Sequence, residues 1–171
     1  MDRLRIYGYL AEVRRRVIDR VRTLDETAYT REFDIGPKSI ARVFTHLLIS
    51  EWYYCERIEG REVPPYEAWE VKDEHPLAFD DMEKRWGAQT ARTRAVLAAE
   101  RDWEAPIVYR VTDDHGKLIE VTTNADDIAT QLILHEMHHR AQLLNILRKL
   151  GVTFDDLDFN AGMYERREVE V

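Results

Sequence analysis

Apolar residues recur along this chain at steps of three and four over long stretches, broken once by a short region where they alternate. Leu4, Tyr7, Leu10, Val13, Val17, Val21 and Leu24 form the first such stripe, with arginines and acids on the other face, and predict a helix ending near Thr23. Gly36-Pro37-Lys38-Ser39 marks the next start, since proline suits a first turn, and Ile40, Val43, Phe44, Leu47 and Leu48 line the inner face of a second helix that should stop before Gly60. Residues 60–79 hold Pro64, Pro65 and Pro76 together with Tyr66 and Trp69, which suits a packed connection more than a free linker. A third helix is expected from Asp80-Asp81, where acids complement the dipole, to about Ala99. The period then changes to two. Residues 107–111 and 118–121 flank Asp113-Asp114-His115-Gly116 and predict a β-hairpin. Thr123 or Asn124 would cap a fourth helix that Gly151 terminates, and the charged end from Glu165 to Val171 is expected to fray. The expected fold is all-α: an antiparallel four-helix bundle with a small hairpin inserted before the last helix, in one domain over residues 1–171.

Composition narrows the function classes. With 33 acidic and 25 basic residues the net charge is −8, which argues against nucleic-acid binding. The densest basic stretch, Arg14-Arg15-Arg16 with Arg20 and Arg22, reads as a solvated helix face, an anionic-ligand patch being the alternative. The single cysteine, Cys55, permits neither an internal disulfide nor a C-x-x-C site. The start of the chain lacks the apolar core of a signal peptide, and no apolar run approaches the roughly 20 residues that span a bilayer. A soluble, cytoplasmic protein without a membrane partner is the expectation.

The chemistry concentrates in His135-Glu136-Met137-His138-His139-Arg140-Ala141-Gln142. Two histidines four residues apart share a helix face and can share a divalent ion. On a wheel with His135 at zero, Ile128, Leu132, Leu143, Ile146 and Leu150 lie within about 20–80°, His139 at about 40° and His138 at about −60°. His139 is therefore expected to point into the core, and inward imidazoles need hydrogen bonds or a metal. His46 borders the apolar face of the second helix and is the candidate third ligand; His75, before a proline, and His115, at the hairpin tip, are expected in solvent. His138 could close the site as a fourth ligand. Glu51, Glu136 and Gln142 are candidate supporting or proton-transfer groups, with plain surface or hydrogen-bonding roles as the alternative. The same letters satisfy H-E-x-x-H, in which Glu136 would be the general base of a zinc protease. The extended pattern fails, however, with Gln142 and Asn145 where glycine and histidine are required, and a downstream glutamate ligand could come only from Glu165, Glu168 or Glu170.

Phe44-Thr45-His46-Leu47-Leu48, followed by Glu51-Trp52, and H-x-x-x-H-R-x-Q at 135–142, followed by Leu150-Gly151, together resemble the DinB superfamily of DinB/YfiT-like metalloenzymes over nearly the whole chain. Ala141 stands where that family often has glycine, a departure that leaves the histidines intact. The resemblance implies a four-helix bundle, often a homodimer, that binds nickel or zinc through His46, His135 and His139. It also implies a metal-dependent enzyme of the thiol S-transferase or hydrolase kind, acting on a low-molecular-weight thiol or another small molecule. The competing expectation is a non-catalytic dimeric binding or stress-response module with a structural metal. Trp52, Tyr53 and Tyr54 are expected as core or dimer contacts, a substrate-pocket wall being the alternative.

Overall fold

The structure, a computed structural model, describes residues 2–112 and 115–167. Four long helices carry it: α1 (Arg3–Val21), α3 (Ile40–Ile58), α4 (Phe79–Ala98) and α5 (Ala125–Lys149). Short helices α2 (Glu26–Thr30) and α6 (Phe159–Met163) and the antiparallel strands β1 (Pro106–Thr112) and β2 (Leu118–Asn124) complete it. In the bundle α3 packs on α4 and α5, and α1 packs on the same two helices. The all-α bundle with its hairpin before the last long helix is the expected fold.

Local chemistry sets the boundaries. Asp2, Ser39 and Asn124 cap α1, α3 and α5 by accepting backbone N–H bonds at the third residue beyond each. Asp126 and Asp127 in the first turn of α5, with Arg148 and Lys149 in the last, complement its dipole. Gly151 then leaves the helix at φ +78°, a conformation that costs glycine nothing. Two details differ from the sequence pattern, and two expectations fall partly outside the described residues. The polar stretch after α1 contains the extra turn α2, capped by Asp25. Pro37 lies ahead of the Ser39 cap and not in the first turn of α3. The register of the hairpin pairs Thr112 with Leu118, so the expected turn falls partly on Asp113 and Asp114, outside the described residues; of the expected fraying end, residues 168–171 lie outside them too.

The core is divided. One apolar compartment holds Leu10, Val17, Ile40, Phe44, Met82, Ile146 and Leu147; the other holds Tyr7, Ile58, Val96, Ile128 and Leu132. Full burial of a side chain such as Phe44 or Leu10 contributes about 1.5–3 kcal/mol. Between the compartments all four long helices supply polar residues: Arg14, Glu51, Gln89 with Thr93, and Glu136 with Arg140, none more than 9 % exposed. This corrects the reading of Arg14 as part of a solvated face. Arg15 and Arg22 are exposed as expected, whereas Arg14 faces inward and pairs with both Glu51 and Glu136. Its guanidinium lies 3.8 Å from the ring centre of Trp86.

Candidate metal centre

The Arg14 layer explains two candidate residues that sequence reasoning assigned elsewhere. Arg14 Nη2 donates to Glu51 Oε2 at 2.6 Å, and both Nε and Nη2 donate to Glu136. Tyr7 and Thr93 hydroxyls donate to the other Glu51 oxygen at 2.5 and 2.6 Å. Burial by itself lowers the tendency of Arg14 to hold its proton, yet Glu136 and Glu51 outweigh it and keep the guanidinium charged. Burial raises the Glu136 carboxyl above its ordinary range against the opposing pull of Arg14. Glu136 is held by the Arg14 guanidinium, which accords with the hydrogen-bonding alternative for this residue. Glu51 is likewise a partner of Arg14.

The histidines lie at the rim of that core. The buried face of α5 runs through Ala129, Leu132, Glu136, Leu143 and Leu147, so Glu136 and Arg140 occupy the inner direction while His135 and His139 are half-buried beside it. His139 does not point into the core, because the apolar residues alone misplaced its centre. Half burial suits a site that must be reached from outside.

His46 on α3 meets the α5 pair across the helix interface. His46 Nε2 and His135 Nε2 are 3.2 Å apart, and one nitrogen from each of the three rings can be chosen so that all lie within 4.8 Å of one another. Among the described residues this is the one group of three or more histidine, cysteine or carboxylate side chains so placed. Hydrogen bonds fix two of the rings. His46 Nδ1 donates to Asp73 at 3.1 Å and His139 Nδ1 donates to the Gln142 side-chain oxygen at 2.8 Å, which leaves the Nε2 lone pair of each ring directed into the cluster. The Gln142 amide nitrogen in turn donates to His138 Nε2 at 3.0 Å, so His138 is exposed and supports Gln142. The expected closure of the site by His138 is not seen. Burial, then the charges that His139, His46 and His138 would carry, push His135 down to about 4. His139 is held below its ordinary range chiefly by burial. These imidazoles are neutral at pH 7, the form that binds metals.

This arrangement fits a divalent ion. Converging lone pairs repel unless a proton or a cation lies between them, and about 3.4 Å separates ligand nitrogens around a tetrahedral ion with metal–nitrogen bonds of about 2.0–2.1 Å. The rest of the α5 motif has structural work: Arg140 Nη2 donates to Tyr9 Oη at 3.2 Å.

Sequence reasoning found the three histidines and Gln142 but not Asp73 or Gly36. Asp73 comes from the connection between α3 and α4, 27 positions from His46, and nothing local signals it. Gly36, read only as a helix-start signal, has φ +49° and packs on Gln142, whose amide a Cβ there would overlap.

The DinB family model matches residues 1–168. The chain belongs to the DinB family. Among solved structures, this DinB chain is similar to YfiT from Bacillus subtilis, described as a probable metal-dependent hydrolase with an unusual four-helix bundle topology. The two are 18% identical with a TM-score of 0.61, over 86% of this chain and 87% of that one. At that identity the likeness shows the fold. No match was found among curated proteins.

Proposed function

We propose that this DinB protein is a metal-dependent enzyme of the hydrolytic or thiol-transfer kind, with a divalent ion, nickel or zinc, held by His46, His135 and His139. The observation that carries the reading is the convergence of one imidazole nitrogen from each of three histidines within 4.8 Å at a half-buried rim, two of the rings oriented by Asp73 and Gln142. YfiT, described as a probable metal-dependent hydrolase, shares the fold and supports the class of chemistry. Bound there, an ion with three uncharged ligands keeps its full positive charge and lowers the pKa of a water or thiol beside it.

The chain's own residues do the rest. Asp73 and Gln142 hold the His46 and His139 rings so that Nε2 faces inward, and Tyr54, with its ring centre 5.8 Å from that of His135, packs against the third. A void of about 10 Å³ bordered by His135, Glu51 and Glu136 is about the least that holds one water. Among the described residues only three side chains join the cluster, which supports an open coordination position over the closed site of a structural metal.

Metal content of untagged protein, compared with His135→Ala, tests the reading. One equivalent of metal in the wild type and none in the variant is expected, with turnover lost alongside. Wild type that is metal-free and refuses added zinc or nickel, or turnover that survives His135→Ala, overturns it.

A further inference from the structure

A cavity of about 460 Å³ lies on the flank of α3 that faces α4, beneath the segment of residues 60–78 that joins them. Its wall is apolar and aromatic, formed by Leu48, Ile49, Trp52, Trp69, Val71 and Ala88. A space of this size falls within the range of small-molecule sites, about 300–1,000 Å³. Its charged lining is already paired. Arg85 donates to Glu70 at 2.7 Å, and Arg92 bridges Glu56 and Glu59 at 2.7 and 2.6 Å, so an occupant needs no charge of its own. Two indole rings, with centres 5.1 Å apart and nearly perpendicular, offer a face and an edge to a flat ring.

The cavity wall is tied to the histidine cluster. The Trp69 indole is fixed by its N–H bond to the Pro64 carbonyl at 2.8 Å and packs on Tyr66 with ring centres 4.9 Å apart. Tyr66 Oη accepts the Asp73 backbone N–H at 3.0 Å, and the Asp73 carboxylate accepts from His46 Nδ1 at 3.1 Å. One segment thus carries both a wall of the cavity and the group that orients His46.

We propose that this cavity binds an uncharged, largely apolar small molecule with an aromatic ring, and that the Trp69–Tyr66–Asp73 segment couples its occupancy to metal binding at His46. The coupling rests on the metal reading; the binding site does not. Coupling of this kind is reciprocal, so metal must change the ligand's affinity by the same factor that ligand changes the metal's.

The neutral dye N-phenyl-1-naphthylamine, whose emission rises in apolar surroundings, tests the site on metal-free full-length protein. Saturable binding of one dye per chain is expected, weakened at least tenfold by Ala88→Trp and by Ala68→Trp. Both alanines are exposed residues that line the cavity, so a large side chain there fills space without displacing core. The melting temperature of both variants should match wild type, and both should still bind one zinc. Dye binding that does not saturate, or that is equally tight in both variants, overturns the site. Zinc should then shift the dye affinity severalfold in wild type, and Tyr66→Phe should remove that shift while leaving dye binding intact. Equal dye affinity with and without zinc, in protein that binds zinc, overturns the coupling. Protein that binds the dye but no zinc removes the coupling together with the metal reading and leaves the cavity standing.

Discussion

The Arg14 layer and the histidine cluster are both polar groups that draw residues from α3 and α5, the layer taking Arg14 from α1 and Gln89 and Thr93 from α4 as well, yet they are built on opposite terms. In the layer, Arg14 pairs with both Glu51 and Glu136, and among the described residues no buried side-chain nitrogen or oxygen of these three lacks a partner, although Nη1 of the neighbouring Arg140 does. The cluster is open, with one ring nitrogen from each of His46, His135 and His139 within 4.8 Å of the others and the outer nitrogens of His46 and His139 engaged by hydrogen bonds. A closed polar group holds the fold, whereas an open one has valence left for a ligand. Burial separates them further, with Glu136 3 % exposed and the His46 side chain 30 %.

Breaking the closed group should cost the most. Arg14→Met leaves two carboxylates in the core without their shared cation and is expected to destabilise the protein by about 3–5 kcal/mol in urea unfolding. The metal content of the folded fraction should stay at one equivalent. A loss below about 1 kcal/mol, the range of exposed pairs, would contradict the closed description of the layer.

That layer is also where the sequence was hardest to read. Helix periodicity placed the four long helices within a few residues, because apolar stripes and caps are local signals, and the i, i+4 histidines stood out for the same reason. Arg14 sits in a run of three arginines that resembles a solvated face, and only the opposing Glu51 and Glu136, 37 and 122 positions away, make its burial affordable. Reading apolar residues alone as the core direction of α5 then displaced the wheel toward the histidines. Asp73 was invisible because a loop carboxylate has no periodicity, and its role depends on how the 60–78 segment folds back on α3.

Loosening the open group should leave stability almost untouched and show in metal affinity. Asp73→Ala frees the His46 ring, and Gln142→Leu frees that of His139; each should weaken zinc binding about 10–100-fold. Stability of the metal-free protein should stay within about 0.5 kcal/mol for Asp73→Ala, whose partner ring is partly solvated. Competition with a chromogenic chelator measures the affinity, and unchanged affinity in both variants would remove the positioning role.

A smaller effect joins backbone to site. Gly36→Ala puts a Cβ at φ +49°, a strain of about 1–2 kcal/mol, and drives the Gln142 amide off His139. In a Gln142→Ala background the overlap has gone while the strain remains. The stability cost should therefore shrink only to the strain component, and the loss of zinc affinity on adding Gly36→Ala should vanish. Equal effects in both backgrounds would mean that Gly36 serves its own turn alone.

The smallest effect is that of pH on the metal-free protein, because the rings are half-buried and solvent screens them. His135 binds a proton at about 6.5 when unfolded and at about 4 in the folded cluster, where burial and its neighbours oppose the charge. Between those values the unfolded chain holds the extra proton, so stability falls as pH drops from about 6.5 toward 4; above 6.5 the contribution is fully present. Glutamine binds no proton in either state. The stability of wild type relative to His135→Gln, measured with chelator present, should therefore decline across that window and be flat above it. A difference that stays level from pH 7 to pH 4 would show that His135 accepts a proton in the folded cluster as readily as in the unfolded chain, and a site that accepts protons freely is poorly prepared to prefer a metal.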